Sequence, residues 1–153
     1  MTSAVRRAEG AEAAEVARLL HAFNTEFCEP TPEVDALTAR LRQLLADDEV
    51  LVLLAGEGPD GLALLRFRPS LWSESLDAHL EELYVAPERR GQGLGRALMR
   101  EAIDAARAAG ASRMDLGTSV NDAAARALYE SCGFTNRERL PDGPSMLMYE
   151  RDL

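Results

Sequence analysis

Lysine is missing from this chain altogether: all 17 basic residues are arginine, set against 26 aspartates and glutamates, for a formal net charge of −9 over 153 residues. That balance argues against a nucleic-acid binder, which concentrates positive charge to neutralise phosphates. An acidic surface leans toward cationic partners, although acidity also serves solubility alone. Cysteine occurs only as Cys28 and Cys132, without metal-ligand spacing or a paired motif. Buried free thiols are therefore expected, and no disulfide or metal centre. No apolar run is long enough to span a bilayer, no signal-like segment opens the chain, and no linker, charge block or repeat divides it. These absences predict one cytoplasmic domain over residues 1–153, with no membrane association and enough chain to bury its own core.

What is present alternates between the two periodicities. Ala4–Ala8 reads as a short strand, and from Ala11 the apolar residues Val16, Leu19, Leu20, Phe23 and Phe27 recur at helical spacing. A second helix is predicted to start at Thr31-Pro32-Glu33, with Thr31 as cap, and to bury Val34, Leu37, Leu41, Leu44 and Leu45. Val50–Ala55 and Gly61–Phe67 form a hairpin around a turn-rich connection. Pro69–Asp77 has no period and holds the only tryptophan, Trp72, which either lines a binding site or pins the loop onto the core. Beyond the central stretch, Ser112–Thr118 reads as a strand, Ala123–Cys132 as a helix, and Phe134–Leu140 with Ser145–Glu150 as a last hairpin.

That central stretch runs from Leu80 to Met99. A β-compatible segment stopped by Pro87 leads to glycines at alternate positions, Gly91, Gly93 and Gly95, and then to a helix in which Leu94 and Leu98 lie one turn apart. Without Cβ atoms in the way, backbone N–H groups can converge on one anion at the positive end of the helix, and phosphate is the natural guest. The spacing is not the Gly-x-Gly-x-x-Gly of dinucleotide-binding folds, and no Gly-Lys-Ser/Thr follows as in nucleotide loops.

Arg90-Gly91-Gln92-Gly93-Leu94-Gly95, preceded by Leu83-Tyr84-Val85-Ala86-Pro87, closely resembles the pyrophosphate loop of the GNAT N-acetyltransferases. Asn121, Ala124, Tyr129 and Gly133-Phe134 match that family's second motif, Asn-x-x-Ala-x-x-x-x-Tyr-x-x-x-Gly-Phe. The resemblance implies an α+β fold of the small single-domain bacterial type. Its mixed, mainly antiparallel sheet would have six or seven strands and about four helices, with two central strands splayed around acetyl-CoA. It further implies that the amides of Gly91, Gln92, Gly93, Leu94, Gly95 and Arg96 hold the pyrophosphate and that Arg90 adds charge. The edge of Leu83, Tyr84 and Val85 would pair with pantetheine, and an N–H near Leu83 would face the developing oxyanion. Asn121 is either a helix cap or a cofactor contact.

Glu81 and Glu82 are adjacent in a strand, so one is predicted on each face of the sheet. A buried unpaired carboxylate is costly, and at least one should border a wet cavity as a general base; an ion pair with an arginine is the other reading. The resemblance favours Glu81, because related strands of polyamine acetyltransferases carry their catalytic glutamate at that place. Tyr129 is implied as the general acid. Phe23, Phe27, Trp72 and His79 are the candidates for touching the acceptor, with core packing the competing role for the two phenylalanines. The expected reaction is transfer of acetyl from acetyl-CoA to a primary amine, most simply a small cationic metabolite, without a metal. A protein acceptor and a non-catalytic acetyl-CoA-binding module are the alternatives, and a homodimer is left open.

Overall fold

A computed structural model describes residues 4–139 and 141–153 of the chain. Five strands form one sheet in the order β1 (Val5–Arg7), β2 (Val50–Ala55), β3 (Gly61–Pro69), β4 (Leu76–Val85) and β5 (Ala111–Leu116). Neighbours run antiparallel except β4 and β5, which run parallel. One face of the sheet presents Val50, Val52, Leu54, Leu62, Leu64 and Tyr84 to Val16, Leu19 and Leu41 of the helices α1 (Ala13–Glu26) and α2 (Val34–Leu45). The other face takes α3 (Leu94–Ala108), whose Leu94, Leu98, Met99, Ala102 and Ala106 are buried. Covered on both sides, β2 is buried throughout, which is why its sequence is a continuous apolar run rather than an alternation.

The crossing of α3 over β3 depends on one missing side chain. A Cβ at Gly61 would lie 2.9 Å from the Tyr84 carbonyl oxygen and 3.2 Å from Leu98 Cδ1. Gly61→Ala is therefore expected to destabilise the fold by ~1–3 kcal/mol through overpacking. Thermal unfolding should show a midpoint several degrees lower; an unchanged midpoint would mean that the helix shifts at no cost.

Two irregularities position the site. Leu64 pairs with Glu82 and Leu65 with Leu80, so Glu81 is the extra residue of a β-bulge. Cross-strand partners share a face, which sets Glu82 with Leu64 on the side of α1 and α2. Glu81 meets Arg66, two residues along β3 on that same face, at 2.5 Å. The expectation of one carboxylate per face is thus corrected: the inserted residue breaks the alternation and turns both toward one side. The second irregularity is that β5 pairs with β4 only as far as Leu80, opposite Leu116, while β4 continues to Val85. Beyond Leu80, β4 therefore runs on to Val85 without a β5 partner among the described residues.

Other boundaries differ from the sequence reading. The helix α2 begins at Val34 behind Glu33, because the Thr31 hydroxyl bonds the Pro32 carbonyl instead of capping the first turn. Cys28 is exposed and Cys132 half-buried, so neither is the buried thiol expected. Among the described residues the last hairpin is reduced to one isolated bridge, Arg137 with Ser145. Arg139 adopts a left-handed φ of 49°, which interrupts the extended backbone, and Pro141 and Pro144 have no N–H to donate. Leu140, the end of the predicted sixth strand, lies outside the described residues. The sheet among the described residues accordingly has five strands where six or seven were expected. The chain divides into two compact units, the first ending at Leu116 and the second starting at Gly117; the second holds α4 (Ala123–Ser131).

Candidate active site

After β4, a 3-10 turn at Pro87–Arg89 delivers the chain into the glycine loop. Gly91 and Gly93 have φ of 77° and 86°, a left-handed conformation that only glycine adopts freely. A Cβ on either would meet no atom within 4 Å, so backbone conformation rather than crowding demands glycine there, and the approach to the amides is open. Gly93 is the N-cap of α3, which has no side-chain cap and no acidic residue in its first turn. Its leading N–H groups and the positive end of its dipole are left for an anion. Gly95 already lies within α3, so two of the three glycines serve the left-handed turn.

The loop is tied down on both sides. Arg89 donates to Asp60 at 2.7 Å and to Gln92 at 3.1 Å. Arg90 donates to both oxygens of Glu26 at 2.9 and 2.8 Å, and its Nε donates to the Val85 carbonyl at 2.9 Å. The guanidinium also lies over the Tyr84 ring, 5.6 Å from its centroid. Arg90, expected to bring charge to a phosphate, is thus matched by a carboxylate and orders the end of β4 against the end of α1. Tyr84 is 5% exposed and stacks on Phe23 with 4.9 Å between centroids, so the half-buried Phe23 packs against the core. Phe27 packs edge-on to Phe23 and is 54% exposed.

The two carboxylates of β4 differ in kind. Burial raises the Glu82 pKa above the ordinary carboxylate range, and the neighbouring charge of Glu81 raises it further. Glu81 is held by the Arg66 guanidinium. Beyond that ion pair, on the same face, His79 Nδ1 lies 2.5 Å from Asp115 Oδ1 across the β4–β5 pairing. Arg66, Arg68, Asp77, His79 and Asp115 line a cleft of about 220 Å³. Trp72 is not among its walls. It is 89% exposed, and its backbone N–H donates to Ser70 Oγ at 3.2 Å, so it does not pin its loop onto the core.

In the second unit, Asp122 accepts from the Ala125 N–H at 3.0 Å and is the cap of α4, which leaves the Asn121 side chain out of the capping role. Tyr129 packs edge-on to Phe134 with 6.3 Å between centroids. Burial, and next the charge of Asp122, push its phenol pKa upward. Sequence reasoning missed Arg66, Asp115, Glu26 and Asp60. A signal existed for Arg66 alone, an arginine set in the otherwise apolar run Leu62–Phe67.

Residues 15–134 match the Acetyltransferase (GNAT) family. The chain belongs to that family. A mycothiol acetyltransferase of Beutenbergia cavernae is 39% identical over 134 residues, covering 82% of this GNAT chain and 43% of that protein, so the chain spans less than half of the relative's length. An aminoglycoside N(6')-acetyltransferase type 1 of Stenotrophomonas maltophilia is 35% identical over 115 residues, covering 71% of the chain and 75% of the relative. A solved acetyltransferase-family structure from Arthrobacter sp. FB24 superimposes with a TM-score of 0.91 at 48% identity, covering 98% of this chain and 96% of the other. As a GNAT protein the chain is an acyltransferase, and the family's co-substrate is acetyl-CoA. Among the described residues no helix is long and apolar enough to cross a membrane.

Proposed function

We propose that this GNAT protein acts as a single domain and transfers an acetyl group from acetyl-CoA to the primary amine of a small molecule. The observation that carries the reading is the uncapped start of α3 behind the left-handed Gly93, beside the extension of β4 past its pairing with β5. The amides of Gly91 to Arg96 would hold the pyrophosphate, and the Leu83–Val85 edge would hydrogen-bond the pantetheine amides as an added strand. Acetyl-CoA supplies the activated acetyl group as a thioester. The chain's residues supply the rest. Glu82, whose burial raises its proton affinity, takes the proton from the acceptor's ammonium; Arg66 commits Glu81 to an ion pair, which favours Glu82 over Glu81 as the base. The Leu83 N–H donates to the carbonyl oxygen as negative charge grows on it. Tyr129, protonated at neutral pH as any phenol near its ordinary pKa is, gives its proton to the departing thiolate. The small-molecule acceptors named for the two relatives support the acceptor class.

The acid's role has a direct test. Tyr129→Phe removes the phenolic proton and keeps the ring against Phe134, so kcat and kcat/KM should fall together, by ~10²-fold or more, while calorimetry finds acetyl-CoA affinity nearly intact. Unchanged turnover with an accepted amine would reduce Tyr129 to a packing residue.

A further inference from the structure

We propose that two carboxylates remote in sequence from the glycine loop, Glu26 at the end of α1 and Asp60 in the β2–β3 turn, are positioning residues for acetyl-CoA: they hold Arg90 and Arg89, and through them the loop, in the shape that receives the pyrophosphate. The inference rests on the acetyltransferase reading above and adds to the same cofactor site two residues that act through others. Its consequence is opposite in sign to a simple charge effect. Removing a negative charge beside an anion site should tighten an anion, whereas here it loosens it.

Glu26 is the last residue of α1, and the last turn of that helix has no basic side chain. A carboxylate there opposes the helix dipole, so helix stability does not account for it. Its partners do. Both of its oxygens accept from Arg90 Nη2, at 2.9 and 2.8 Å, and Oε1 also accepts from the Tyr84 hydroxyl at 3.3 Å. Arg90 in turn donates from Nε to the Val85 carbonyl and lies over the Tyr84 ring. One carboxylate thus fixes the residue that enters the loop against the strand that precedes it. Asp60 does the same for the neighbouring arginine. It accepts from Arg89 Nη1 at 2.7 Å, and Arg89 Nε donates to the side-chain oxygen of Gln92, the residue between the left-handed Gly91 and Gly93. Asp60 is itself held in place: its N–H donates to the Ala55 carbonyl at 2.8 Å, its carbonyl accepts from the Ala86 N–H at 2.8 Å, and Arg18 of α1 donates to the adjacent Pro59 carbonyl at 3.2 Å.

Two consecutive arginines ahead of a phosphate-binding turn read as added positive charge, yet each is matched by its own carboxylate. The carboxylates are the more sheltered partners, 26% and 18% exposed for Glu26 and Asp60 against 45% and 36% for Arg90 and Arg89. Sheltered pairs are screened less than fully exposed ones, so they persist at ordinary salt. What the two pairs give the loop is therefore shape more than charge. Gly91 and Gly93 have no side chains with which to order the turn, and a loop left loose must be ordered by the ligand at a cost in affinity. For one long side chain and its segment that cost corresponds to about two- to tenfold in Kd.

The experiment is calorimetry with acetyl-CoA on the full chain, comparing wild type with Glu26→Gln and Asp60→Asn, each of which removes one charge at nearly constant shape. Each variant should raise Kd by about two- to tenfold, while kcat at saturating acetyl-CoA with an accepted amine stays near the wild-type value and the thermal midpoint moves little. In an Arg90→Met background, Glu26→Gln should have no further effect on Kd, because its route to the loop is gone. Should Asp60→Asn fail to fold, Arg89→Met opens the same pair from the other side, with the same expected rise in Kd. Unchanged Kd in Glu26→Gln overturns the proposal, and tighter binding does so too, since it would mean that the freed Arg90 charge acts directly on the phosphates. A lowered midpoint with unaltered Kd marks a merely structural pair and overturns it as well, as does a loss of equal size with and without Arg90. Failure of the acetyltransferase reading looks different. If wild type itself does not bind acetyl-CoA, both fall together; if it binds acetyl-CoA and releases no thiol with any amine, the reading fails and the Kd differences still decide the role of Glu26 and Asp60.

Discussion

Glu82→Gln is expected to lower kcat/KM for every accepted amine by ~10²–10⁴-fold, the usual range for losing a positioned general base. The glutamine retains the shape and a hydrogen-bonding oxygen, so folding and acetyl-CoA affinity should change little. The pH profile gives the sharper reading. Burial and the charge of Glu81 hold the Glu82 pKa above the ordinary carboxylate range, so in wild type the acid limb of kcat/KM should lie above that range and vanish in the variant. The linked stability effect has a definite sign. The folded state binds this proton more tightly than the unfolded chain, so the group costs stability as pH rises from the unfolded carboxylate pKa through the higher folded one. Over that window Glu82→Gln should be more stable than wild type, relative to their difference at lower pH. Loss of activity in Glu81→Gln with retention in Glu82→Gln would move the base to Glu81, where the likeness to polyamine acetyltransferases points, and would make the Arg66 pair a regulator of the base.

The second large effect is at the helix start. Gly93→Asp places a carboxylate at the N-cap of α3, where the account puts two phosphates, and forces a side chain onto a φ of 86°. The left-handed backbone alone costs a non-glycine residue about 1–2 kcal/mol, and Asn and Asp are among those that bear it best. Gly93→Asn carries the same shape and strain without the charge, so the pair of variants separates the two contributions. Acetyl-CoA affinity should fall about tenfold in Gly93→Asn and ~10³-fold in Gly93→Asp, because an anionic cap also satisfies the dipole that would otherwise favour the phosphates. Equal losses in the two would mean that backbone strain, not charge, carries the effect.

The sequence made some of this legible and hid the rest for physical reasons. The spacing of Arg90 to Gly95 after Leu83–Pro87 located the strand, the turn and the start of α3, because a left-handed Gly93 and an uncapped helix end have few substitutes. Helical periodicity found the buried faces of α1, α2 and α3, since each packs one stripe against the sheet. The side of Glu81 was unreadable: a bulge adds one residue to a strand without any composition mark, and strict alternation then assigns the wrong face. The partners Asp60, Glu26 and Asp115 were equally silent. Each lies far along the chain from the group it binds, Glu26 from Arg90 and Asp60 from Arg89, so the ion pairs exist only once the fold is formed. The last hairpin failed because alternation in Ser145–Glu150 was counted while the left-handed Arg139 could not be foreseen.

The central claim is that this chain catalyses acetyl transfer from acetyl-CoA to a small amine, and the most direct measurement pairs thiol release with mass analysis of the acceptor. Purified protein incubated with acetyl-CoA and a panel of hydroxylated amines, diamines and amino acids should release thiol in an amine-dependent way and yield one acetylated product per thiol. Thiol release that is independent of added amine, or none with any member of the panel by protein that binds acetyl-CoA, would contradict it.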